Sequence, residues 1–431
     1  MKYISTRGGV APASLGEAIA AGMATDGGLY VPQSLPRFSP HDFDGDETLA
    51  QIATRLLAPF FAGDALATSL SAICAEAFTF PAELRALAGA DDFVLELFHG
   101  PTAAFKDFGA RFLAACMQRL QPAQNAPLTI LVATSGDTGA AVGAAFADAP
   151  GVRVLILYPD GRVSPRQAHQ LGCFGDTVGA LRVAGSFDDC QRLVKQAFAD
   201  AALRTRVPLA SANSISLGRL LPQMVYYAQA ALRHWRADAT QLNFVVPTGN
   251  LGNAVACMLA RACGLPIGRI VLATNANATL HDFFAGAEYT PRDSIATLAN
   301  AMDVGAPSNF ERLRWLHPDN AQLRREFSVD AIGDDAIRAT IRERHARHGE
   351  IFCPHTATAV RTLEALRQEG AYGAWAVVAT AHPAKFDGIV EPLLGRGVDL
   401  PPALAELLAR PSQSQPMAAD YAALRARLLD A

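Results

Sequence analysis

Charge is scarce in this chain. Of its 431 residues, 18% are Asp, Glu, Lys or Arg, half are apolar, and the formal net charge is −4. Acidic and basic residues alternate along the sequence. There is no basic tail and no basic run interleaved with aromatics, which argues against a nucleic-acid partner. Highly charged, apolar-poor segments are missing too, so the composition is that of a folded globular protein long enough for two or three domains. The opening stretch Met1–Gly9 has no apolar run of the signal-peptide kind, and a cytoplasmic protein is expected. One uncharged run, Leu242 to Ala260, reaches the length of a membrane span. Asn243, Pro247, Asn250, Asn253 and two glycines interrupt it, so it reads as strand, loop and helix, and no membrane partner is expected.

Cysteine bonding patterns are absent as well. The seven cysteines, at 74, 116, 173, 190, 257, 263 and 353, are odd in number and form no C-x-x-C pair. Reduced, buried thiols are expected. None of the ten histidines stands in an H-E-x-x-H or similar spacing, and no structural metal is expected. Fixed-period repeats and low-complexity segments are lacking.

What is present is an α/β pattern. Residues 1–95 read as a mostly helical N-terminal region, with Ser14 and Glu17 spaced for a capping box and helices near 47–62 and 64–78. From 96 to 205 the pattern is that of a small α/β domain. Phe93–Phe98 is a short strand, Lys106–Leu120 a helix stopped by Gln121-Pro122-Ala123, and Leu128–Ala133 a continuous apolar strand of the kind buried on both faces. A turn, a small-residue helix to about Ala147 and the strand Val152–Leu157 complete a βαβ unit. Residues 206–431 read as a larger α/β domain. Its second βαβ unit comprises the strand Leu242–Pro247, the helix Ala254–Cys263 and the strand Arg269–Ala273. Further elements follow at 334–348, after Ile351 and at Ala374–Thr380. The segment 275–330 is less regular, and the tail reads as helical and polar. The expected architecture is two open, mostly parallel α/β domains with the active site in the crevice between them, at the carboxyl ends of the strands.

Several loops at those strand ends could carry chemistry. Lys106 stands among Ala103, Ala104, Phe105 and Phe108. Apolar enclosure disfavours an ammonium and frees the amine for Schiff-base formation. Taken alone, these residues equally fit the start of a surface helix with the lysine head in water, the commoner arrangement. Thr248-Gly-Asn-Leu-Gly-Asn253 could cradle a phosphate, since Gly249 and Gly252 let backbone N–H groups approach an anion at a helix N-terminus. It is neither a Walker loop nor a G-x-G-x-x-G turn, and a ligand-free glycine turn reads the same. In Ser135-Gly-Asp-Thr-Gly139, hydroxyls and N–H groups could bind a carboxylate, and Asp137 could accept from a phenol or amine. Ser135 or Asp137 acting only as a helix cap is the plain alternative. Thr380 ends a buried strand, where backbone would ordinarily satisfy it. Cationic and hydroxyl candidates for a phosphorylated ligand are Arg162, Ser164, Arg166, Asn213, Ser214, Ser216 and Arg219, with Lys385 and His355 behind them.

The stretch His99-Gly-Pro-Thr-Ala-Ala-Phe-Lys-Asp-Phe-Gly109 closely resembles the lysine motif of the threonine synthase family, pyridoxal-phosphate enzymes of the tryptophan-synthase-β-like fold. Ser5-Thr-Arg-Gly-Gly9, Ser135-Gly-Asp-Thr-Gly139, Thr248-Gly-Asn-Leu-Gly-Asn253 and Thr380-Ala-His-Pro-Ala-Lys-Phe386 resemble further motifs of the same family. Their order is the family's order, and together they span residues 5 to 386. The chain is similar to the bacterial and fungal type with a long N-terminal region. Leu251 replaces the family's usual phenylalanine, Ser216 stands where an asparagine is usual, and Asp137 fits the family where the wider fold often has asparagine.

The resemblance implies the following. Pyridoxal 5'-phosphate is the cofactor, joined to Lys106. Gly249, Asn250, Leu251, Gly252 and Asn253 hold its phosphate, and Thr380 meets its ring nitrogen. Ser135, Asp137 and Thr138 contact the amino-acid end of the substrate, and Ser164, Asn213, Ser214 and Arg219 its phosphate. The reaction implied is γ-elimination and β-addition converting O-phospho-L-homoserine and water to L-threonine and phosphate, by a monomer or else a dimer. Alternatives are a phospho-lyase releasing 2-oxobutyrate from the same substrate, a serine/threonine dehydratase or cysteine synthase of the same fold, and a non-catalytic binding protein.

Overall fold

The computed structural model describes residues 1–89, 91–120 and 127–430. Its strands, in chain order, are β1 (Tyr3–Ser5), β2 (Tyr30–Pro32), β3 (Glu83–Leu87), β4 (Asp92–Glu96), β5 (Leu128–Ala133), β6 (Val152–Pro159), β7 (Val178–Ala184), β8 (Leu209–Ser211), β9 (Leu242–Pro247), β10 (Ile267–Thr274), β11 (Phe327–Ala331), β12 (Trp375–Ala379) and β13 (Gln415–Ala418). Two sheets dominate. One has the order β11-β10-β9-β12-β4-β3 and is parallel except for the β3–β4 pair. The other has the order β13-β7-β6-β5-β8 and is parallel throughout. Strands β1 and β2 form a separate antiparallel pair.

The central strands form where the sequence is apolar and rich in β-branched residues, because helices cover both faces and leave no side for polar groups. All five residues of β12 are buried, and β9 is buried but for Asn243. The uncharged run 242–260 resolves into β9, a loop and the helix Gly252–Ala262. Among the described residues no helix is long and apolar enough to cross a membrane. All seven cysteines are buried and unpaired. The helix Lys106–Leu120 starts and stops at the expected residues; its expected terminator, Gln121-Pro122-Ala123, lies outside the described residues.

Four strands were not expected from the sequence: β3, β8, β11 and β13. All four are sheet edges. An edge strand needs no continuous apolar run, and these are short, mixed in polarity or, in β13, interrupted by Pro416. The expected blocks 1–95, 96–205 and 206–431 exchange strands across their bounds. Strands β3 and β4 join the sheet of β9–β12, while β8 and β13 complete the sheet of β5–β7.

The N-terminal region covers one side of this core. Ser14 and Glu17 form the expected capping box on the helix Leu15–Ala21. The helix Leu49–Phe61 buries Ile52, Leu56, Leu57, Phe60 and Phe61, and Tyr3 donates to Phe60 O at 2.7 Å. One residue ties this layer to the rest. Arg312, 1% exposed, donates to Tyr30 O at 2.9 Å, to Ile215 O at 2.6 Å and to Asn309 Oδ1 at 2.8 Å. Burial lowers its pKa to about 9, with Glu311 acting in the opposite sense. Three carbonyl-type acceptors from three segments thus converge on one guanidinium.

Arg312→Met, which keeps the length of the side chain, leaves those acceptors without donors. The expected loss is about 2–4 kcal/mol of stability, read as a lower urea midpoint than that of the wild-type chain.

Candidate active site

The segment that brings Lys106 into the core is stitched to the end of β12. Leu97 N–H donates to Ala379 O at 3.0 Å, Phe105 N–H to Thr380 O at 2.9 Å, and His382 N–H to Ala103 O at 3.0 Å. Asp107, itself buried, closes the turn by accepting from Thr102 N–H at 2.9 Å and Thr102 Oγ1 at 2.7 Å. Lys106 therefore opens its helix facing inward. Its side chain is 14% exposed, and Nζ lies 5.1 Å from the Phe105 ring centroid. The surface-lysine arrangement is thereby overturned. Burial lowers the Lys106 pKa; Asp137 works against the fall, and Lys385 and Arg219 add to it.

The second loop follows β5. Its helix, Asp137–Phe146, is preceded by Gly136 at φ +130°, where a Cβ would come within 2.6 Å of Gln167 Nε2. Thr134, rather than Ser135 or Asp137, takes the capping hydrogen bonds, accepting from Gly136 N–H at 3.0 Å and Gly139 N–H at 2.9 Å. Asp137 is left to meet amines. Lys385 Nζ lies 2.9 Å from its Oδ1, and Lys106 Nζ lies 3.8 Å from its Oδ2. Burial alone would raise the Asp137 pKa, but Lys385 first and then Lys106 hold it well below the usual carboxylate range.

The third loop follows β9. Gly249 runs so close to the neighbouring 300–304 segment that a Cβ would sit 2.7 Å from Met302 Cα. Leu251 adopts the left-handed region at φ +62° with its side chain fully buried. Among the described residues, no protein acceptor takes the N–H groups of Gly249, Asn250, Leu251, Gly252 or Asn253. The loop is braced from behind. Asn250 donates to Ser214 Oγ at 2.7 Å and accepts from Ser308 N–H, Asn309 Nδ2 donates to Asn250 O at 3.0 Å, and Tyr226 and Tyr227 both donate to Asn253 Oδ1. Five N–H groups without protein acceptors at a helix start have the chemistry to take an anion.

These three loops line one cavity of about 180 Å³ between the two large sheets. Of the residues singled out in the sequence, Lys106, Ser135, Asp137, Thr138, Asn213, Ser214, Arg219, Gly249, Asn250, Leu251, Gly252, Asn253, His355 and Thr380 line it. Thr380 is buried, yet its hydroxyl bonds to no backbone group among the described residues, contrary to the ordinary expectation. Arg219 is 2% exposed, donates to Ala212 O at 2.6 Å and keeps Nε without a partner.

Ser164 does not reach the cavity. It caps the helix Pro165–Leu171 and donates to Lys385 O at 2.7 Å. Arg166 is committed to Ala384 O, Asp387 and Glu391, Arg162 is exposed, and Ser216 is buried with its hydroxyl unpaired. His355 Nε2 accepts from Ala301 N–H at 3.0 Å, and burial brings its pKa down to about 4.

Sequence reasoning missed Phe187, Gln191 and Lys195, which line the cavity from the helix Phe187–Ala199. Their spacing of four residues puts them on one helical face, a signal available once that helix is drawn. It also missed the segment Ala301–Val304. An asparagine network orders that segment, with Asn275 Nδ2 donating to Thr297 Oγ1 at 2.8 Å and Asp303 Oδ1 at 2.8 Å.

Comparison with known proteins gives one family. Residues 82–384 match the family described as pyridoxal-phosphate dependent enzyme, residues 2–78 the threonine synthase N terminus, and residues 356–427 the threonine synthase C-terminal family. The threonine synthase of Serratia marcescens is 40% identical over 418 residues, covering 96% of each chain. The crystal structure of threonine synthase from Escherichia coli superposes with a TM-score of 0.90 at 40% identity, covering 100% of both chains. That of pyridoxal-phosphate-bound threonine synthase from Brucella melitensis gives 0.89 at 35% identity, covering 100% of this chain and 99% of the other.

Gly249→Ala is expected to displace the 300–304 backbone and cost about 1–3 kcal/mol. Gly252→Ala, whose Cβ meets nothing nearer than 3.5 Å, is expected to be tolerated. Comparing the two thermal midpoints checks both. His355 folds as the neutral ring, so its contribution is complete above pH 6.5 and is lost as pH falls toward 4. Replacing it with Gln, which can also accept from Ala301 N–H, should flatten the wild-type decline across that window by on the order of 2 kcal/mol.

Proposed function

The chain belongs to the threonine synthase family of pyridoxal-phosphate-dependent enzymes, and on that premise we propose that it converts O-phospho-L-homoserine and water to L-threonine and phosphate. The observation that carries this reading is a buried amine with a lowered pKa, Lys106 Nζ, suited to Schiff-base formation and sharing one cavity with a five-amide cradle.

The residues fit pyridoxal 5'-phosphate. Gly249 leaves no room for a side chain, the amides of Gly249–Asn253 lack protein acceptors, and the Thr380 hydroxyl is free. Gly249, Asn250, Leu251, Gly252 and Asn253 would hold the phosphate, Lys106 the carbonyl carbon, and Thr380 the ring nitrogen. Leu251 in place of phenylalanine leaves this backbone role intact, because the contacts come from N–H groups. When bound, the cofactor supplies an electron sink for the carbanion formed beside the amino-acid nitrogen.

The remaining steps belong to the chain. Ser135 and Thr138, at the start of the helix Asp137–Phe146, offer hydroxyls and a positive helix end to the substrate carboxylate. Asn213, Ser214 and Arg219 face the same cavity and would take the substrate phosphate, with Lys195 as a further cation at the mouth. Ser164 is withdrawn from this group by its capping role. Lys106 Nζ, once displaced, is the base that removes a proton from the substrate's Cα and returns protons along the chain. Burial keeps it from being held as an ammonium between transfers. Asp137 carries a fixed negative charge beside that amine and moves no proton, since its pKa lies far below neutrality.

Purified protein incubated with O-phospho-L-homoserine should release phosphate and threonine in equal amounts. Phosphate matched by 2-oxobutyrate would overturn the assignment. Lys106→Ala should lower turnover by about 10³-fold or more and remove the borohydride-reducible link to the cofactor, while the protein still unfolds at close to the wild-type temperature.

A further inference from the structure

The chain has four lysines, at positions 2, 106, 195 and 385. Two of them meet at one buried carboxylate. Asp137 Oδ1 lies 2.9 Å from Lys385 Nζ in an ion pair and accepts from Gln167 Nε2 at 3.0 Å, whereas Oδ2 lies 3.8 Å from Lys106 Nζ, beyond hydrogen-bond range. Lys385 is the better placed partner. Its side chain is 0% exposed, and Nζ also donates to Thr102 O at 2.6 Å.

Lys385 has no freedom to enter the cavity, and it does not line it. The turn Pro383–Phe386 that carries it is clamped from outside. Ser164 Oγ donates to Lys385 O at 2.7 Å and Arg166 Nη1 to Ala384 O at 2.6 Å. The groups that face Asp137 are Lys385, Lys106, His355 and Gln167. His355 is neutral through its acceptor bond from Ala301 and brings no charge. Lys106 is faced by Asp137, Lys385 and Arg219. A lone buried carboxylate 3.8 Å from an amine would hold that amine as an ammonium. Here the carboxylate is already engaged by a second, immobile cation.

We propose that Lys385 is a positioning residue for the reaction: by engaging Asp137 with its own ammonium it denies Lys106 a counter-ion, so that Lys106 Nζ rests as an uncharged amine. The inference rests on Lys106 being the reacting lysine. It gives the aspartate of this loop a partner that an asparagine there would not need.

The test labels full-length protein, stripped of cofactor, with cyanate across a range of pH. Carbamylation of Lys106 is read by mass spectrometry against Lys2 and Lys195, both exposed. Lys385→Met should move the midpoint of Lys106 reactivity up by about one pH unit, an approximately tenfold loss of rate at neutral pH. Asp137→Asn should move it down. The double variant should return to within about threefold of the wild-type rate. A Lys385→Met midpoint at or below that of the wild type overturns the proposal, as does a double variant no closer to wild type than Lys385→Met. Thermal unfolding of each variant reports folding. If Lys385→Met does not fold, the sign of the Asp137→Asn shift decides, and an upward or absent shift overturns the proposal. The labelling needs neither cofactor nor substrate, so failure to convert O-phospho-L-homoserine leaves its outcome untouched.

Discussion

Exclusion of water from one amine is the constraint on which the rest of this structure depends. Lysine is among the residues least tolerant of burial, yet Lys106 is placed where two sheets, a helix N-terminus and a glycine-lined turn converge. Each neighbouring feature follows from keeping it there. Asp107 seals the turn before it, the Thr380–His382 strand end is bonded to its loop, and Asp137 is shared with a second lysine. Removing solvent also strengthens every charge inside the cavity, which is why one carboxylate at hydrogen-bond distance rather than a little farther decides the protonation of its neighbours.

The N-terminal layer and the irregular 275–310 segment serve the site at one remove. Arg312 gathers Tyr30, Ile215 and Asn309, and Asn309 in turn holds Asn250 in the amide cradle. A strand close to the start of the chain is therefore three hydrogen bonds away from the cradle. The cradle's floor, Met302, is positioned by His355 through Ala301 and by the asparagine network through Asp303. Among the described residues of these segments, Ala301, Met302, Val304 and Ser308 line the cavity, and the others brace it from outside.

Legibility in the sequence followed the physics of each feature. Interior strands such as β5, β9 and β12 declare themselves by predominantly apolar residues, and Ser14 with Glu17 declares a cap, because the cause of each is local. The edge strands β3, β8, β11 and β13 depend on a neighbouring strand supplied from elsewhere in the chain, and no local pattern marks them. The site divides the same way. Lys106, the Gly249–Asn253 loop and Thr380 were readable from short motifs at strand ends. Lys385 ranked low because its partner, Asp137, lies 248 positions earlier, and no spacing rule connects them. Ser164 misled because a serine before proline and three residues ahead of Gln167 has the chemistry of a phosphate contact and the position of a cap; position prevailed.

Strand order has a consequence for how the molecule is made. β12, residues 375–379, lies between β4 and β9 in the middle of its sheet, and β13, residues 415–418, closes an edge of the other. A chain emerging from the ribosome therefore has β4 and β9 exposed, with a gap one strand wide between them, until residues 375–379 have been synthesised. The six-stranded sheet, and the part of the lysine's enclosure supplied by Thr380 and Lys385, cannot close before then. Until β12 emerges the nascent chain carries unpaired apolar strand edges, the condition under which aggregation competes with folding. Completion of the six-stranded sheet thus waits for β12, whereas β5 to β8 can pair with one another earlier.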